Sequence, residues 1–201
     1  MVGGKLYVEG GGDTNLLKTA CRKGFSEFLK KAGLAGRLPR IVACGSRRNA
    51  YDSFCTALEK GERALLLVDS EEAVDSGPPQ PWQHLGRRTG DQWQKPSSAG
   101  DDDCHLMVQV MEAWFLADRQ TLQTFFGQGF QVNALPAATN DIEVLTKEQI
   151  YQSLARATSN CKTKAVYGKG EHSFKLLAQI DPNQVIGASF WARRFVDELK
   201  K

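Results

Sequence analysis

Three acidic residues follow apolar segments whose ends could meet in space. Glu9 comes directly after Leu6-Tyr7-Val8, Asp69 comes after the apolar residues 64–68, and Glu71 follows two residues later. Carboxylate oxygens are the ligands that Mg²⁺ and Mn²⁺ prefer. Acids this close would raise one another's pKa values, so we expect a cation to neutralise them. The spacing therefore predicts a divalent-metal site suited to phosphodiester chemistry.

A parallel sheet would bring these acids together, and the first seventy residues predict one. Strand-like and helical segments alternate, and each helical segment is long enough for a right-handed crossover. The carboxyl ends of parallel strands lie at one edge of a sheet, so Glu9 and Asp69 should meet there, and Glu71 should point to the same side if its backbone is extended. The predicted fold class is α/β, with a Rossmann-like, mainly parallel four-stranded sheet flanked by helices. The predicted strands are 5–9, 39–44, 64–69 and 105–110, and the predicted helices are 13–33, 49–60, 111–126, 147–157, 172–180 and 190–199.

The glycine turn at residues 10–12 leads to Asp13, which could add to the metal site. Taken alone, Asp13 is typical of a helix N-cap, and an acid after an apolar strand often marks only the place where the chain meets water. The turn matches neither the Rossmann Gly-x-Gly-x-x-Gly pattern nor a Walker A loop. A metal site with Asp13 nearby is the interpretation we carry forward.

The chain divides into a core at residues 1–126 and a helical C-terminal extension at residues 127–201, which we expect to pack together as one structural domain. A long loop at residues 75–103 holds Trp82 and Trp93 with four of the seven prolines. Long loops of this kind are usually functional or disordered. The two tryptophans favour partial packing, although they could equally form an exposed platform for a base.

The composition is that of an ordinary globular protein, with 41% hydrophobic and 24% charged residues in 201. No apolar run approaches the roughly 20 residues that span a bilayer, and the start does not resemble a signal peptide, so we expect a cytoplasmic protein without a membrane partner. Five scattered cysteines form no zinc-ligand pattern and are expected to be reduced thiols.

Basic residues that could hold a polyanion lie in two places. Residues 161–201 contain eight Lys/Arg and four Asp/Glu, a surplus of +4, which is either a nucleic-acid face or a solvated helix surface. Lys169, His172 and Lys175 in this region could bind or stabilise phosphate, although His172 fits a plain helix start better. Arg47 and Arg48 follow the second strand and are either phosphate ligands or a solvated loop. The remaining candidate, Glu112, either joins the metal site or pairs locally.

The acidic segments resemble a Toprim domain, whose pattern is a Glu after the first strand and an Asp-x-Asp after a later one. The matching residues are Leu6-Tyr7-Val8-Glu9-Gly10 and Leu66-Leu67-Val68-Asp69-Ser70-Glu71, and the form from Val8 to Asp13 is closest to the overcoming-lysogenization-defect nucleases. The resemblance implies a Mg²⁺ held by Asp69 and Glu71, Glu9 as a ligand or general acid/base, and Asp13 near a second ion. Glu71 departs from the usual second Asp, and its extra methylene moves the carboxylate outward.

Almost the whole chain also resembles a family of small stand-alone Toprim-like proteins of uncharacterised function, often encoded beside an ATPase in bacterial defence loci. The segments that carry this likeness are Val42-Ala43-Cys44-Gly45, Pro81-Trp82-Gln83-His84-Leu85, Met111-Glu112-Ala113-Trp114-Phe115-Leu116-Ala117-Asp118 and Lys169-Gly170-Glu171-His172-Ser173-Phe174.

From these residues and resemblances we expect a Mg²⁺- or Mn²⁺-dependent nuclease acting on DNA or RNA, with an ATPase partner and a possible homo-oligomeric state. The alternatives are a regulatory or nucleic-acid-binding subunit without chemistry of its own, and a phosphatase or nucleotidyl transferase that uses the same metal site.

Overall fold

Four parallel strands form the central sheet, in the spatial order β2-β1-β3-β4. The structure is a computed structural model that describes residues 4–75, 77–138 and 141–201. Every residue of β3 is buried, as expected for a strand that is covered on both faces. The predicted α/β class and parallel sheet are confirmed. The strands are β1 Lys5–Val8, β2 Arg40–Ala43, β3 Ala64–Asp69 and β4 Cys104–Met107.

Helices cover both faces of the sheet, and their bounds follow local capping chemistry. α1 begins at Asn15 because the Thr14 side chain accepts a hydrogen bond from the backbone N–H of Leu17, so the prediction that Asp13 caps this helix is wrong. The described helices are α1 Asn15–Leu29, α2 Arg47–Glu59, α3 Pro81–Arg87, α4 Ala113–Ala117, α5 Arg119–Phe126, α6 Lys147–Thr158, α7 Lys169–Leu177, α8 Pro182–Ala188 and α9 Phe190–Lys200. None of the helices in these described ranges is both long and apolar enough to cross a bilayer.

The predicted helix at 111–126 is two helices, and the break between them has a physical cause. The Asp118 side chain accepts from the backbone N–H of Thr121 and caps α5, while its other oxygen accepts from the backbone N–H of Asp181 at the start of α8. The prediction of one continuous helix is therefore wrong, and α8 was not predicted at all. β4 is also shorter than predicted, because it ends at Met107.

The long loop at 75–103 packs against α2. This confirms the prediction of partial packing, and the alternative of an exposed aromatic platform is wrong. Trp82 and Trp93 are buried, at 6% and 4% exposure. The ring of Trp93 stacks on Tyr51 with centroids 4.6 Å apart, and the ring of Trp82 lies 5.9 Å from that of Phe54. The loop thereby covers the face of the sheet opposite α1, and part of it forms α3.

The C-terminal helices contribute to the larger of two apolar cores. α7 packs on α1, and α9 packs on β4. Buried side chains from both helices, including Leu176, Leu177, Phe195 and Val196, join those of β1 and β3 in one cluster. This packing carries the start of α7 to the carboxyl edge of the sheet. All five cysteines are free thiols, as predicted.

Candidate metal centre

Glu9, Asp69 and Glu71 meet at the carboxyl edge of the sheet, as their positions after β1 and β3 predict. We call these three residues the carboxylate cluster. One oxygen from each lies within 4.8 Å of the others. In an octahedral Mg²⁺ site with Mg–O distances of about 2.1 Å, opposite ligands are about 4.2 Å apart and adjacent ligands about 3.0 Å apart. The three carboxylates must therefore move closer together to share one ion, and the donor set fits a hard cation.

Backbone contacts fix two of these acids tightly. Asp69 is 2% exposed, and its Oδ1 accepts a 2.8 Å hydrogen bond from the backbone N–H of Met111. The backbone N–H of Asp69 in turn donates to Oε2 of Glu9 at 3.1 Å. The ends of β1 and β3 are thereby joined through a side chain as well as through the sheet.

Glu71 reaches the cluster by a different backbone route from the one predicted. Its φ is +65°, in the left-handed region, so the expectation of extended backbone from Asp69 to Glu71 is wrong. The backbone N–H of Glu71 donates to the carbonyl of Gln109 at 2.7 Å, which holds the turn against the segment after β4. The side chain arrives at the predicted place because of this turn.

Three basic side chains neutralise the carboxylate cluster. Arg47 donates to Oε2 of Glu9 at 3.1 Å and also to the carbonyl of Asp69, while Lys147 donates to Oε2 of Glu71. Lys169 places its Nζ 3.6 Å from Oδ2 of Asp69. The expectation that only a bound ion could make these acids tolerable is therefore wrong. Within the described ranges no hydrogen bond reaches Oε1 of Glu9 or Oε1 of Glu71, so each keeps an oxygen for a metal.

The electrostatic environment distinguishes these groups from surface acids. Burial raises the pKa of Asp69 well above its ordinary value, the nearby Glu9 raises it further, and Lys169 opposes both. Burial likewise raises the pKa of Glu9 against the opposing charge of Arg47. Burial lowers the pKa of Lys169, but Glu112 and Asp69 together outweigh this and hold it above its usual value. Lys169 is thus a permanent cation beside the cluster.

Glu112 pairs locally, which decides between the two readings left open by the sequence. It is fully buried, and it is not among the residues whose ligand atoms converge. Its Oε1 accepts from the hydroxyls of Tyr167 at 3.0 Å and Ser173 at 3.1 Å, and its Oε2 accepts from Tyr151 at 3.2 Å. We call these three hydroxyl residues the hydroxyl cluster. Lys169 lies 3.9 Å from Oε2 and so stands between Glu112 and Asp69.

Arg47 was predicted to bind phosphate, but its guanidinium is occupied by protein acids. Besides Glu9, it forms an ion pair with Asp91 at 2.6 Å, and its side chain is only 15% exposed. Arg48 is exposed and pairs with Asp52 at 3.0 Å on the same helix, which fits the solvated alternative.

The other predicted phosphate ligands also lie away from the cluster. His172 is 2% exposed, its Nδ1 accepts from the backbone N–H of Gly168 at 3.0 Å, and the rings of Phe125 and Phe126 surround it. This is the helix-start role that the sequence favoured. Lys175 is exposed, and because it follows Lys169 by six residues it lies about 240° around α7 from it.

Asp13 is exposed and is not part of the converging group found among the described residues. The basic surplus of the C-terminal region is likewise mostly remote from the cluster. Arg194 donates to the carbonyl of Cys104 at the start of β4, and both Arg194 and Lys201 pair with Asp102. The carboxylate cluster lies at the opposite end of this strand. Of the basic residues that we expected beside the acidic site from this region, Lys169 is the one that lies there.

Sequence reasoning missed Lys147, Asp91 and the hydroxyl cluster. Lys147 begins a helix predicted with that start, but nothing in its neighbours indicates a contact with Glu71, 76 positions earlier. The position of Glu112 beside Trp114 indicated a buried carboxylate that needs hydrogen-bond partners. The sequence could not identify these partners, because their positions depend on how α6 and α7 pack.

An open cavity of about 260 Å³ adjoins the carboxylate cluster. Glu9, Asp69 and Lys169 are its charged lining residues. Five glycines and four apolar side chains form the rest of its wall: Gly10, Gly11, Gly12, Gly45, Gly170, Leu17, Met107, Met111 and Phe174. The site is thus an acidic, metal-capable edge that opens into a small pocket.

A protein-family profile described as "Domain of unknown function (DUF4276)" matches residues 8–200. No curated protein and no solved structure matches the chain.

Proposed function

We propose that this chain, which belongs to the DUF4276 family, is a metal-dependent phosphodiesterase of the Toprim nuclease type. The observation that carries the proposal is the convergence of Glu9, Asp69 and Glu71 within 4.8 Å, beside Lys169 and an open cavity. We further propose that it works in the cytoplasm as the effector or partner of an ATPase in anti-phage defence, as the family resemblance suggests.

The residues divide the work according to their contacts. Asp69 and Glu71 would hold Mg²⁺ or Mn²⁺, with Glu9 as the third ligand. The chemistry that such an ion supplies is polarisation of a phosphoryl oxygen and a lowered pKa for bound water. Asp69 keeps its orientation through the hydrogen bond from Met111.

Lys169 supports the reaction from the protein side. Its ammonium lies 3.6 Å from Asp69 and 3.9 Å from Glu112, and these two acids keep it charged. A phosphodiester that enters the cavity gains negative charge near this cation as the reaction proceeds, and a preorganised cation lowers the barrier for that step. Arg47 and Lys147 would release Glu9 and Glu71 when an ion binds.

A cleavage assay tests the proposal. Purified wild-type protein is incubated with panels of DNA and RNA in Mg²⁺ or Mn²⁺, alongside Glu9→Gln and Asp69→Asn. The matched control is Asp52→Asn, which removes a carboxylate paired with Arg48 on the exposed side of α2. We expect cleavage by wild type and control and a loss of at least about 100-fold in the two cluster variants. Equal cleavage by all four proteins would reject the assignment.

One observation favours a second candidate, a nucleic-acid-binding or regulatory subunit of an ATPase complex. Arg47, Lys147 and Lys169 already compensate the carboxylate cluster, so the fold tolerates these acids without an ion. In that case the protein alone would be inactive on every substrate and would co-purify with the ATPase, with activity appearing only in the complex and surviving Asp69→Asn.

A further inference from the structure

The cavity beside the carboxylate cluster has both charged and apolar groups in its wall. Glu9, Asp69 and Lys169 are the charged groups, which would act on a phosphodiester. The apolar side chains are those of Leu17, Met107, Met111 and Phe174. A site that recognised only a phosphate backbone would need polar and basic groups throughout, because backbone recognition rests on charge. The apolar side chains therefore indicate that an apolar part of the substrate enters the cavity.

The apolar part of the wall has the composition expected for a flat aromatic ligand. It includes Met107 and Met111, two of the three methionines in the chain, together with the ring of Phe174. Methionine sulfur is polarisable and makes favourable contacts with aromatic rings, and an aromatic side chain offers a surface on which a base can stack. Met107 and Met111 are 1% and 4% exposed, so the core holds them in place.

The glycine turn is also part of the cavity wall. Gly11 and Gly12, which line the cavity, have φ values of +88° and +50°. Among the described residues neither of their backbone N–H groups makes a hydrogen bond within the protein. In the binding mode that we propose below, these groups donate to a phosphate or sugar oxygen of the ligand.

The dimensions decide how a nucleic acid can enter. A volume of about 260 Å³ is small even for a ligand pocket, since such pockets usually measure about 300–1,000 Å³. A base inside a duplex is stacked and paired, and proteins that act on it must first take it out of the helix. We propose that this cavity binds one unpaired nucleoside unit beside the phosphodiester, so that the substrate is single-stranded nucleic acid. The inference rests on the proposed function and specifies its substrate class.

Gly170 offers a variant that fills the cavity without disturbing the fold. It lines the cavity, and a Cβ added there would meet no protein atom within 4 Å. Replacing a helical glycine also tends to stabilise a helix. Gly170→Leu should therefore fold and place a large side chain at the cavity wall, where we expect it to interfere with the nucleoside. The matched control is Gly187→Leu in α8, where an added Cβ also meets nothing within 4 Å and the position does not line this cavity.

Leu17 gives a second variant, which removes part of an apolar side chain from the cavity wall instead of adding one. Leu17→Ala shortens a side chain in the cavity wall, whereas its neighbour Leu16 is 79% exposed and does not line the cavity. Leu16→Ala is thus a control of the same residue type on the same helical turn.

The experiment measures binding and cleavage separately. Binding of a labelled single-stranded oligonucleotide, the same strand with abasic sites and the corresponding duplex is followed by fluorescence anisotropy in Ca²⁺, and cleavage is followed in Mn²⁺. We expect the single strand to bind more tightly than the other two by about 5- to 100-fold, the range for stacking of one base. Gly170→Leu and Leu17→Ala should lose this preference, and both controls should keep it.

Equal binding of the three ligands, no binding of any, or an unchanged preference in both cavity variants overturns the inference. Two outcomes separate it from the proposed function. Cleavage that depends on Glu9 but is equal for single and double strands leaves the proposed function standing and rejects the nucleoside pocket. A clear preference in binding without any cleavage supports the pocket and rejects the phosphodiesterase.

Discussion

Asp69 and Glu112 are two buried carboxylates on either side of Lys169, and their surroundings differ. Both oxygens of Glu112 accept hydrogen bonds from the hydroxyl cluster of Tyr151, Tyr167 and Ser173. Asp69 accepts one hydrogen bond, from Met111 to Oδ1, and its Oδ2 lies on the cavity side with Lys169 3.6 Å away. Burial alone therefore does not identify a functional acid. The difference lies in whether the protein has already satisfied the carboxylate oxygens.

The comparison assigns opposite effects on stability to the two acids. Glu112 is part of a complete polar network, so removing it leaves buried partners unpaired. Asp69 is buried with few partners, and burial raises its pKa, a cost that a functional site tolerates. Substitutions at the two positions should therefore change the free energy of unfolding in opposite directions.

The largest effect is expected for Glu112→Ala. This change leaves three hydroxyls and part of the Lys169 charge without their acceptor, and we expect a loss of about 3–5 kcal/mol in the free energy of unfolding. Glu112→Gln, which keeps the shape and one acceptor oxygen, should cost about 1–3 kcal/mol. Urea denaturation measures both. A change below about 0.5 kcal/mol for Glu112→Ala would show that the hydroxyl cluster does not contribute as described.

Tyr167→Phe tests the hydroxyl cluster from the donor side. Its hydroxyl donates to a buried carboxylate, and hydrogen bonds to charged groups contribute about 1.5–3 kcal/mol. Tyr51→Phe is the matched control, because the Tyr51 hydroxyl donates to the neutral carbonyl of Gln94 at 2.7 Å and should cost only about 0.5–1.5 kcal/mol. Urea denaturation of both variants under the same conditions measures the two losses in the free energy of unfolding. A larger loss for Tyr51→Phe than for Tyr167→Phe would contradict the prediction.

Asp69→Asn should raise the free energy of unfolding at pH 8 by about 1–2 kcal/mol, a typical size for one substitution. The pKa of Asp69 is raised in the folded state, so its favourable contribution is present at low pH and is lost as the pH rises through the folded value. The advantage of Asn should accordingly be larger at pH 8 than at pH 4 when both are measured in EDTA. If Asp69→Asn is less stable than wild type at both pH values, Asp69 stabilises the fold as Glu112 does, and the contrast between the two acids is wrong.

The smallest change in stability is expected for Lys147→Met. This lysine is 41% exposed and pairs with Glu71, so its loss should cost less than about 1 kcal/mol. Because it competes with an ion for Glu71, its removal should strengthen Mn²⁺ binding by up to about fivefold, the equivalent of 1 kcal/mol. Lys95→Met is the control, since Lys95 is 42% exposed and pairs with the remote Asp101. Isothermal titration with Mn²⁺ should show tighter binding for Lys147→Met and unchanged binding for Lys95→Met. Weaker binding by Lys147→Met would contradict competition and would mean that Lys147 helps Glu71 to hold the ion.

The sequence predicts the part of the site that depends on local pattern and topology. The apolar run that ends at Asp69 marks β3 with its observed bounds, and parallel pairing then brings Glu9 to the same edge. Glu71 was placed correctly for the wrong reason, because a left-handed turn rather than extended backbone carries it there. Contacts set by the packing of distant helices, such as Arg47 with Asp91, left no comparable pattern.

The same limit explains the error at Asp13 and the two alternatives left open for Glu112. Thr14 lies one position after Asp13, and both residue types are favoured at N-caps, with Asp ranked above Thr, so residue type alone points to the wrong one. Glu112 was left open between metal ligand and local pairing because its partners Tyr151 and Tyr167 lie 39 and 55 positions away. Residue type indicated a need for partners, and only the tertiary structure identified them.

The most direct test of the metal site is a crystal structure of the wild-type protein soaked in Mn²⁺, with anomalous diffraction data. We predict an anomalous peak about 2.0–2.3 Å from oxygens of Asp69 and at least one of Glu9 and Glu71, with Arg47 or Lys147 displaced from its carboxylate and Glu112 still held by its three hydroxyls. The contradicting result is full soaking with no peak at this position and the ion pairs of Arg47 and Lys147 unchanged.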